Sequence, residues 1–468
     1  MVSPKEHYLK KKHSGDRAAI AASSPGSANE GQGFILNNPE IESVDLLICD
    51  LNGIFRGKWA PPESLKKVCE PGINLPLSIF GLDVWGREVE KTNLHIDTGD
   101  RDGFAKAVPG RVALATWAKR PTAQALLTMH TETGEPFAVD PRHALQSVVD
   151  RLAERGLFPV TAFELEFYLV DPAVFRKSGR MSGEDGNGPD LQNMYSLSEL
   201  RGQNDLFAEI RLAARAQGLP IDTIIKEAAP GQFEVNLKHR DPMAAADDAV
   251  LLRRMISECA HNYGLRATFM AKPFLDWPGN GMHVHASMCD KTGKNIFGKK
   301  NGKERLGHAA RGMMDTMRDS LLLYVPGFNG YRRLQPGSYA PTRIAWGWNN
   351  RSVAVRVPAS DDAALRLEHR LSGADANPYL VLAGVLGGMM EGLDNGIDAP
   401  PPIEGSAYAV ELPQLSDDMD DAIADFERSD FIRRMLGADL QRIFAEVKKV
   451  ELAAFNNEIT PLERSTYL

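Results

Sequence analysis

Four short segments place acid, imidazole and guanidinium where strand alternation gathers them onto one face. In Phe163-Glu164-Leu165-Glu166-Phe167, a period of two sets both carboxylates opposite the phenylalanines. Glu234 lies on the polar side of Gln232-Phe233-Glu234-Val235-Asn236-Leu237, and Glu227 precedes it across Pro230-Gly231. His283 and His285 share a face of Met282-His283-Val284-His285-Ala286, as Arg366, Glu368 and Arg370 do in the run from Leu365 to Leu371. Taken singly, each segment is also what a half-exposed strand shows to solvent. Together they offer acid, imidazole and guanidinium with almost no Ser, Thr or Lys. Converging carboxylates repel one another unless cations bind them. An oxygen-rich set with one imidazole suits Mg²⁺ or Mn²⁺ better than zinc, which prefers closed nitrogen and sulfur sets.

An arginine series accompanies the acids: Arg332, Arg333, Arg351, Arg356, Arg366 and Arg370. The rigid guanidinium fork suits carboxylate and phosphate. No G-x-x-x-x-G-K-[ST] loop occurs, so any nucleotide phosphate falls to metal and arginine. Acids, hard cations and arginines together describe phosphoryl transfer to or from an anionic substrate. The residues themselves do not name the acceptor.

The elements that must carry these groups read as an α+β chain in three parts. Residues 1–38, with AASSPGSANEGQG, read as a flexible arm too polar to order itself. Residues 39–138 read as a small, mostly β domain in which Asn52-Gly53, flanked by VDLLICD and IFRGKW, predicts a hairpin with a type I′ turn. Residues 139–468 read as the catalytic domain. There Asp140-Pro141 opens a helix that Gly156 stops, with Leu145, Val148, Val149 and Leu152 on its apolar stripe. A second helix runs from Asp241-Pro242 to Asn262, between strands at GQFEVNL and LRATFMAKP. An antiparallel-leaning sheet backed by helices is the expected arrangement, with mobile loops at 181–190 and 290–304.

Composition narrows the class. With 54 Lys and Arg against 62 Asp and Glu, the net charge of −8 disfavours a nucleic-acid partner. Cys49, Cys69, Cys259 and Cys289 form no C-x-x-C pair, which fits reduced thiols in the cytoplasm. No apolar run reaches membrane-span length, and the stretch from Leu380 to Met390 is short and glycine-rich. His369 falls on the apolar side of its strand and reads as a core histidine. Met313, Met314 and Met317 read as core, His7 and His13 as solvated, and Asp417–Asp421 as the start of a solvent-facing helix.

In this order, the segments resemble the glutamine synthetase family over roughly residues 40–468. The resemblance rests on Glu164-Leu-Glu166, Glu227-Ala-Ala-Pro-Gly-Gln-Phe-Glu234, Gly279-Asn-Gly-Met-His283-Val-His285-Ala-Ser287, Tyr331-Arg-Arg-Leu-Gln-Pro-Gly337, Asn350-Arg351-Ser352, Arg356-Val-Pro358, Arg366-Leu-Glu368-His-Arg370 and Asn377-Pro378-Tyr379. It implies a β-grasp-like N-terminal domain and a catalytic domain with a curved sheet. It also implies stacked-ring homo-oligomers, a dodecamer favoured, whose active sites lie between subunits. By position, Glu166, Glu227 and Glu234 would hold one Mg²⁺ or Mn²⁺, and Glu164, His283 and Glu368 a second beside ATP. Gly279, His283, Arg333, Arg351 and Arg370 would meet the glutamate substrate. Arg351, Arg356 and Arg370 would serve the transfer, and His285 with Ser287, Arg351 and Arg356 the nucleotide.

One departure points to the acceptor. Ammonia-using members read Pro-Gly-Tyr-Glu-Ala-Pro after the arginine pair, whereas this chain reads Pro336-Gly337-Ser338-Tyr339-Ala340-Pro341. The Phe-Asp-Gly-Ser-Ser of such members is here Phe80-Gly81-Leu82-Asp83-Val84-Trp85-Gly86, with the acid displaced by two residues and a tryptophan added. A small ammonium needs close acids; a larger amine needs room and aromatic wall. The chain is therefore similar to γ-glutamylpolyamine (γ-glutamylputrescine) synthetases, which implies an ATP-dependent glutamate–amine ligase. Asp83 or Glu88 could serve a distal ammonium, with Trp85 and Tyr339 as walls. The alternatives are ammonia-using glutamine synthetase, a monoamine ligase and a silent structural member.

Overall fold

The computed structural model describes residues 28–173, 193–299 and 301–468. Residues 1–27, with His7 and His13, and the expected loop at 181–190 lie outside the described residues. Ordered structure starts earlier than composition suggests, with a helix at Ala28–Asn37 in what reads as arm. Phe34 and Ile35 pack on the core, and Gly31 lies so close to the helix Leu65–Cys69 that a Cβ would fall 2.5 Å from the Leu65 carbonyl oxygen. These contacts, with the Glu30 carboxylate accepting the Gly110 N–H at 2.8 Å, dock the helix.

The N-terminal sheet comprises β1 (Ser43–Cys49), β2 (Phe55–Ala60), β3 (Ile73–Pro76), β4 (Asp102–Leu114) and β5 (Thr122–His130), in the order β2-β1-β5-β4-β3. β1 and β5 run parallel and the other pairs antiparallel. The expected hairpin is present, but its turn is a wider loop because pairing ends at Cys49↔Phe55. Gly53 is left-handed at φ 71° and Asn52 is not. The Asp50 carboxylate decides this: it accepts the N–H groups of Asn52 and Ile54 and the Arg56 Nε–H, each at 2.9 Å. Those three bonds, with the Asp50 N–H donating to the Ile54 carbonyl at 2.9 Å, close a loop of Leu51, Asn52 and Gly53 in place of a two-residue turn.

The larger, second part of the chain opens on the helix Pro141–Glu154, capped by Asp140, with Leu145, Val148 and Leu152 fully buried. Its sheet holds β6 (Phe158–Val170), β7 (Ile221–Lys226), β8 (Gln232–Leu237), β9 (Arg266–Thr268), β10 (Met282–Cys289), β11 (Trp346–Trp348), β12 (Val355–Val357) and β13 (Leu367–His369). The order is β11-β12-β13-β10-β6-β8-β7, with β9 also on β6; only β11 and β12 pair in parallel. β9 is shorter than LRATFMAKP suggests, ending before Lys272-Pro273.

Helices back this mixed sheet. The helix Pro378–Asn395 is apolar nearly all round because it is a core helix, and no described helix is long and apolar enough to cross a membrane. Its glycines let it approach the helix Gly302–Asp315, where a Cβ on Gly312 would lie 2.2 Å from the Gly388 carbonyl oxygen. Met313, Met314, Met317 and His369 are buried, as expected of core residues. The acidic run at 417–421 caps an amphipathic helix, Met419–Arg428, through Asp418. Between the domains, buried Asp247 accepts from Arg111 of β4 (3.3 Å), Arg142 (2.9 Å) and the Tyr379 hydroxyl (2.8 Å), while Asp248 pairs with Arg111 (2.8 Å) and Arg240 (2.7 Å).

Candidate active site

Strand register assembles the polar face. On β6, Phe163, Leu165 and Phe167 are fully buried, which turns Glu164 and Glu166 to the other side. Glu166 pairs with Glu234 of β8, and Glu164 with His283 of β10. His285 pairs with Glu368 of β13, and Glu368 with Arg356 of β12. Directly paired residues share a face of the sheet, so acids, imidazoles and an arginine from five strands line one surface.

Two groups of side chains bring ligand atoms within 4.8 Å of one another: Glu164, His283 and Glu368, and Glu166, Glu234 and His283. His283 belongs to both and sits between them. Its Nδ1 is 3.2 Å from Glu164 and 4.0 Å from Glu368. Glu166 accepts the Gly281 N–H. A Cβ on Gly281 would meet Arg333 Nη2 at 2.7 Å, His283 Nε2 at 3.1 Å and Glu166 at 3.3 Å, so only glycine lets these groups converge. Gly279 likewise abuts the stem of Arg333, where a Cβ would lie 2.8 Å from Cγ.

The electrostatics are those of a face short of positive charge at one end. Burial, then Glu166, pushes the Glu227 carboxyl up to about 7. Burial, then Glu164, Glu166 and Glu227, pushes Glu234 up to about 9. Glu227 stands outside the 4.8 Å group but close enough to share its field. At the other end burial is outweighed. Hydrogen bonds with His283 and His285 hold Glu164 below the usual carboxylate range, and Arg370 foremost holds Glu368 at about 2. A hard divalent cation fits this donor set, since carboxylates that cannot all ionise side by side do so around a cation.

The arginines fall into distinct settings. Glu368, almost fully buried, accepts from Arg370 and from Arg356 at 2.6 Å, and so separates the two guanidiniums. Arg356 also donates to Asn349 at 2.8 Å. Arg333 is buried with only the carbonyls of Leu371 (2.8 Å) and Arg370 (3.4 Å) as acceptors; among the described residues it has no ion-pair partner. Burial lowers its pKa, and the charges of Glu166 and Asp375 oppose that fall. Arg351 is exposed between β11 and β12, near enough to oppose the rise at Glu227. Arg366 pairs with His285 instead of Glu368, donating from Nε to Nδ1 at 3.1 Å. The other nitrogen of His285 lies 2.9 Å from Glu164, so the ring is fixed from both sides. Ser287 is half-buried two residues further along β10.

The acceptor residues are placed less uniformly. Tyr339 is 68% exposed in the loop after the arginine pair and takes φ 60°. Trp85 is half-exposed against Phe455, with the Arg87 guanidinium 4.3 Å from its ring. Asp83 is fully buried and committed to its own turn: it accepts the N–H groups of Trp85 (3.0 Å) and Arg87 (2.9 Å) and pairs with Arg87 Nε at 2.7 Å. Glu88 is exposed, 3.9 Å from His95. Sequence reading missed Gly281, Asn349 and Tyr408. The last donates its hydroxyl to the Ala340 carbonyl at 2.8 Å. Only the glycine left a trace, as a small residue two positions before His283, just ahead of β10.

A mixed sheet backed by helices, with acids, imidazoles and arginines on one face, defines a ligase fold of the glutamine synthetase type. The chain belongs to the glutamine synthetase family: residues 138–467 match the model of the glutamine synthetase catalytic domain. It is 39% identical over 447 residues to the γ-glutamylputrescine synthetase PuuA of Escherichia coli (strain K12), covering 94% of each chain. It is 30% identical over 440 residues to a glutamate–isopropylamine ligase of a Pseudomonas species, covering 92% of this chain and 95% of that one. A solved structure of GmaS in complex with ADP superposes with a TM-score of 0.82 at 28% identity, covering 93% of this chain and 98% of that chain.

Proposed function

We propose that this chain is an ATP-dependent ligase joining the glutamate γ-carboxylate to a primary amine, putrescine favoured, through γ-glutamyl phosphate. The observation that carries this is Tyr339 standing, without an acid, in the loop beside an otherwise complete acid, imidazole and arginine face. Similarity to named putrescine and isopropylamine ligases supports it. The chemical need is plain: a carboxylate oxygen is a poor leaving group. A γ-carboxylate oxygen bonds to the terminal phosphorus and ADP departs. The amine nitrogen then bonds to the acyl carbon, loses a proton, and phosphate leaves with the former carboxylate oxygen.

Arg333 binds a glutamate carboxylate, and Arg370, fixed by Glu368, holds the γ-carboxylate near the transferred phosphoryl group. Arg351 and Arg356 meet charge developing on the phosphates. His285 and Ser287, with Arg351 and Arg356, contact the nucleotide, and Gly279 and Gly281 leave room for substrate. Mg²⁺ or Mn²⁺ held by Glu164, His283 and Glu368, and by Glu166, Glu227 and Glu234, would neutralise the repulsion between two anionic reactants.

A monoamine acceptor is the second reading, favoured by the commitment of Asp83 to its own turn. Trp85 and Tyr339 then act as walls. We further place the chain in the cytoplasm, which four free cysteines support, and in a stacked-ring homo-oligomer, a dodecamer favoured. The test is phosphate release from ATP with glutamate and, separately, ammonium, putrescine, spermidine, ethanolamine and benzylamine. Turnover with an organic amine well above ammonium is expected; preference for ammonium would overturn the acceptor, and silence with all of them the ligase.

A further inference from the structure

The segment after Pro400 is built onto the loops of the site. The Ile403 N–H donates to the Trp346 carbonyl at 2.8 Å, and Asn350 Nδ2 donates to the carbonyls of Ile403 (3.0 Å) and Gly405 (2.8 Å). The Ala407 N–H donates to Ser352 Oγ at 2.9 Å, and Ser352 in turn donates to Asn350 Oδ1 at 2.7 Å. This segment is therefore fixed to the Asn350-Arg351-Ser352 loop. From it, Tyr408 reaches the loop after the arginine pair, where its hydroxyl meets the Ala340 carbonyl at 2.8 Å. The phenol lies within the fields of Arg370 and Arg333, which oppose the upward push of burial on its pKa.

What Tyr408 grips is a loop in an uncommon backbone shape. Gly337 takes φ 80° and Tyr339 φ 60°, a left-handed conformation that an aromatic residue adopts only when its surroundings enforce it. Ser338 supplies local bonds, its hydroxyl 2.6 Å from the Gln335 carbonyl and 3.3 Å from the Ala340 N–H. Tyr408 ties the loop from outside at Ala340, directly after the strained residue.

We infer that Tyr408 is a positioning residue: it ties the loop carrying Tyr339 to the loop carrying Arg351, and so shapes the acceptor entrance and shields the acyl phosphate from water. This rests on the ligase reading above. Tyr408→Phe removes the hydroxyl that meets the Ala340 carbonyl and the Tyr339 backbone, and keeps the ring. A bond of this kind corresponds to about a five- to tenfold change in an equilibrium. The amine KM should rise by about that factor, while the glutamate KM stays within about twofold because Arg333 is untouched. Phosphate released per amide formed should climb from about one to roughly two or more as water competes for the intermediate. Hydrogen exchange at the amides of Ser338 and Ala340 should quicken several-fold, whether or not any amine is turned over. Unchanged exchange, or faster exchange with unchanged stoichiometry and amine KM, would overturn the inference. If wild type forms no amide, the ligase reading fails, and the exchange measurement still decides whether Tyr408 holds the loop.

Discussion

Replacing Glu234 by glutamine should stabilise the metal-free protein and inactivate the enzyme. Glu234 is 6% exposed and pairs across strands with Glu166. Burial and three neighbouring carboxylates raise its carboxyl from 4.5 to about 9. The sign of the effect follows from this direction. A carboxyl with a raised folded pKa contributes its full stability below 4.5, and that contribution is lost as pH climbs toward 9. Each unit corresponds to about 1.4 kcal/mol, so at about pH 7.5 the wild-type cost approaches ~4 kcal/mol as an upper limit. Glutamine has nearly the same shape and no such cost. At about 2.1 cal/mol/K of unfolding entropy per residue, ~4 kcal/mol corresponds to about 4 °C for a chain of this length. Calorimetric melts in EDTA at pH 7.5 should therefore show the variant melting up to about 4 °C higher, with the two curves converging near pH 5. With saturating Mn²⁺ the order should invert, because wild type gains a charged ligand that the variant lacks. A variant that melts lower than wild type in EDTA at pH 7.5 would refute the reasoning, since Glu234 would then be held by its neighbours and not crowded by them.

Three further outcomes are expected. Glu368→Gln leaves buried Arg370 and half-buried Arg356 without their anion, which should cost about 3–5 kcal/mol in denaturant melts and lower turnover by at least about 100-fold; a loss under ~1 kcal/mol would count against the shared pair. Tyr339→Glu should raise the kcat/KM ratio of ammonium to putrescine by about tenfold or more, as a charge-assisted contact is gained; an unchanged ratio would detach the loop from acceptor choice. Asp247→Asn should destabilise the chain by roughly 3 kcal/mol, measured by urea unfolding, because Arg111 and Arg142 lose the negative charge they share and one of its two acceptor oxygens; melting unchanged from wild type would show that these parts of the chain are joined by other contacts.

Much of the site was legible because a strand's period of two is a strong constraint. Glu164, Glu166, Glu234, His283, His285 and Glu368 each sit at alternate positions against buried apolar neighbours, and register then pairs them. Caps were equally readable, since Asp140-Pro141 and Asp241-Pro242 satisfy the first free N–H groups of their helices. What alternation cannot reveal is where a side chain's hydrogen bonds are spent. Asp83 looked available and is consumed by its own turn. Asn52-Gly53 looked like a two-residue turn, and Asp50 draws it into a wider loop. Arg366 shares spacing with Glu368 yet pairs with His285 across to β10. Tyr408 carries no periodic signal, because the contact that singles it out is with a loop some seventy residues earlier. The helix Ala28–Asn37 escaped because its stability comes from docking, not composition.

The most direct test of the central claim follows the oxygen atoms. Glutamate labelled with ¹⁸O in its γ-carboxylate is incubated with ATP, Mg²⁺ and putrescine, and the released phosphate and the amide are weighed by mass spectrometry. An acyl phosphate route predicts one ¹⁸O in each phosphate released and one retained in the γ-glutamyl amide. Amide formed with unlabelled phosphate would contradict activation of the γ-carboxylate by phosphoryl transfer.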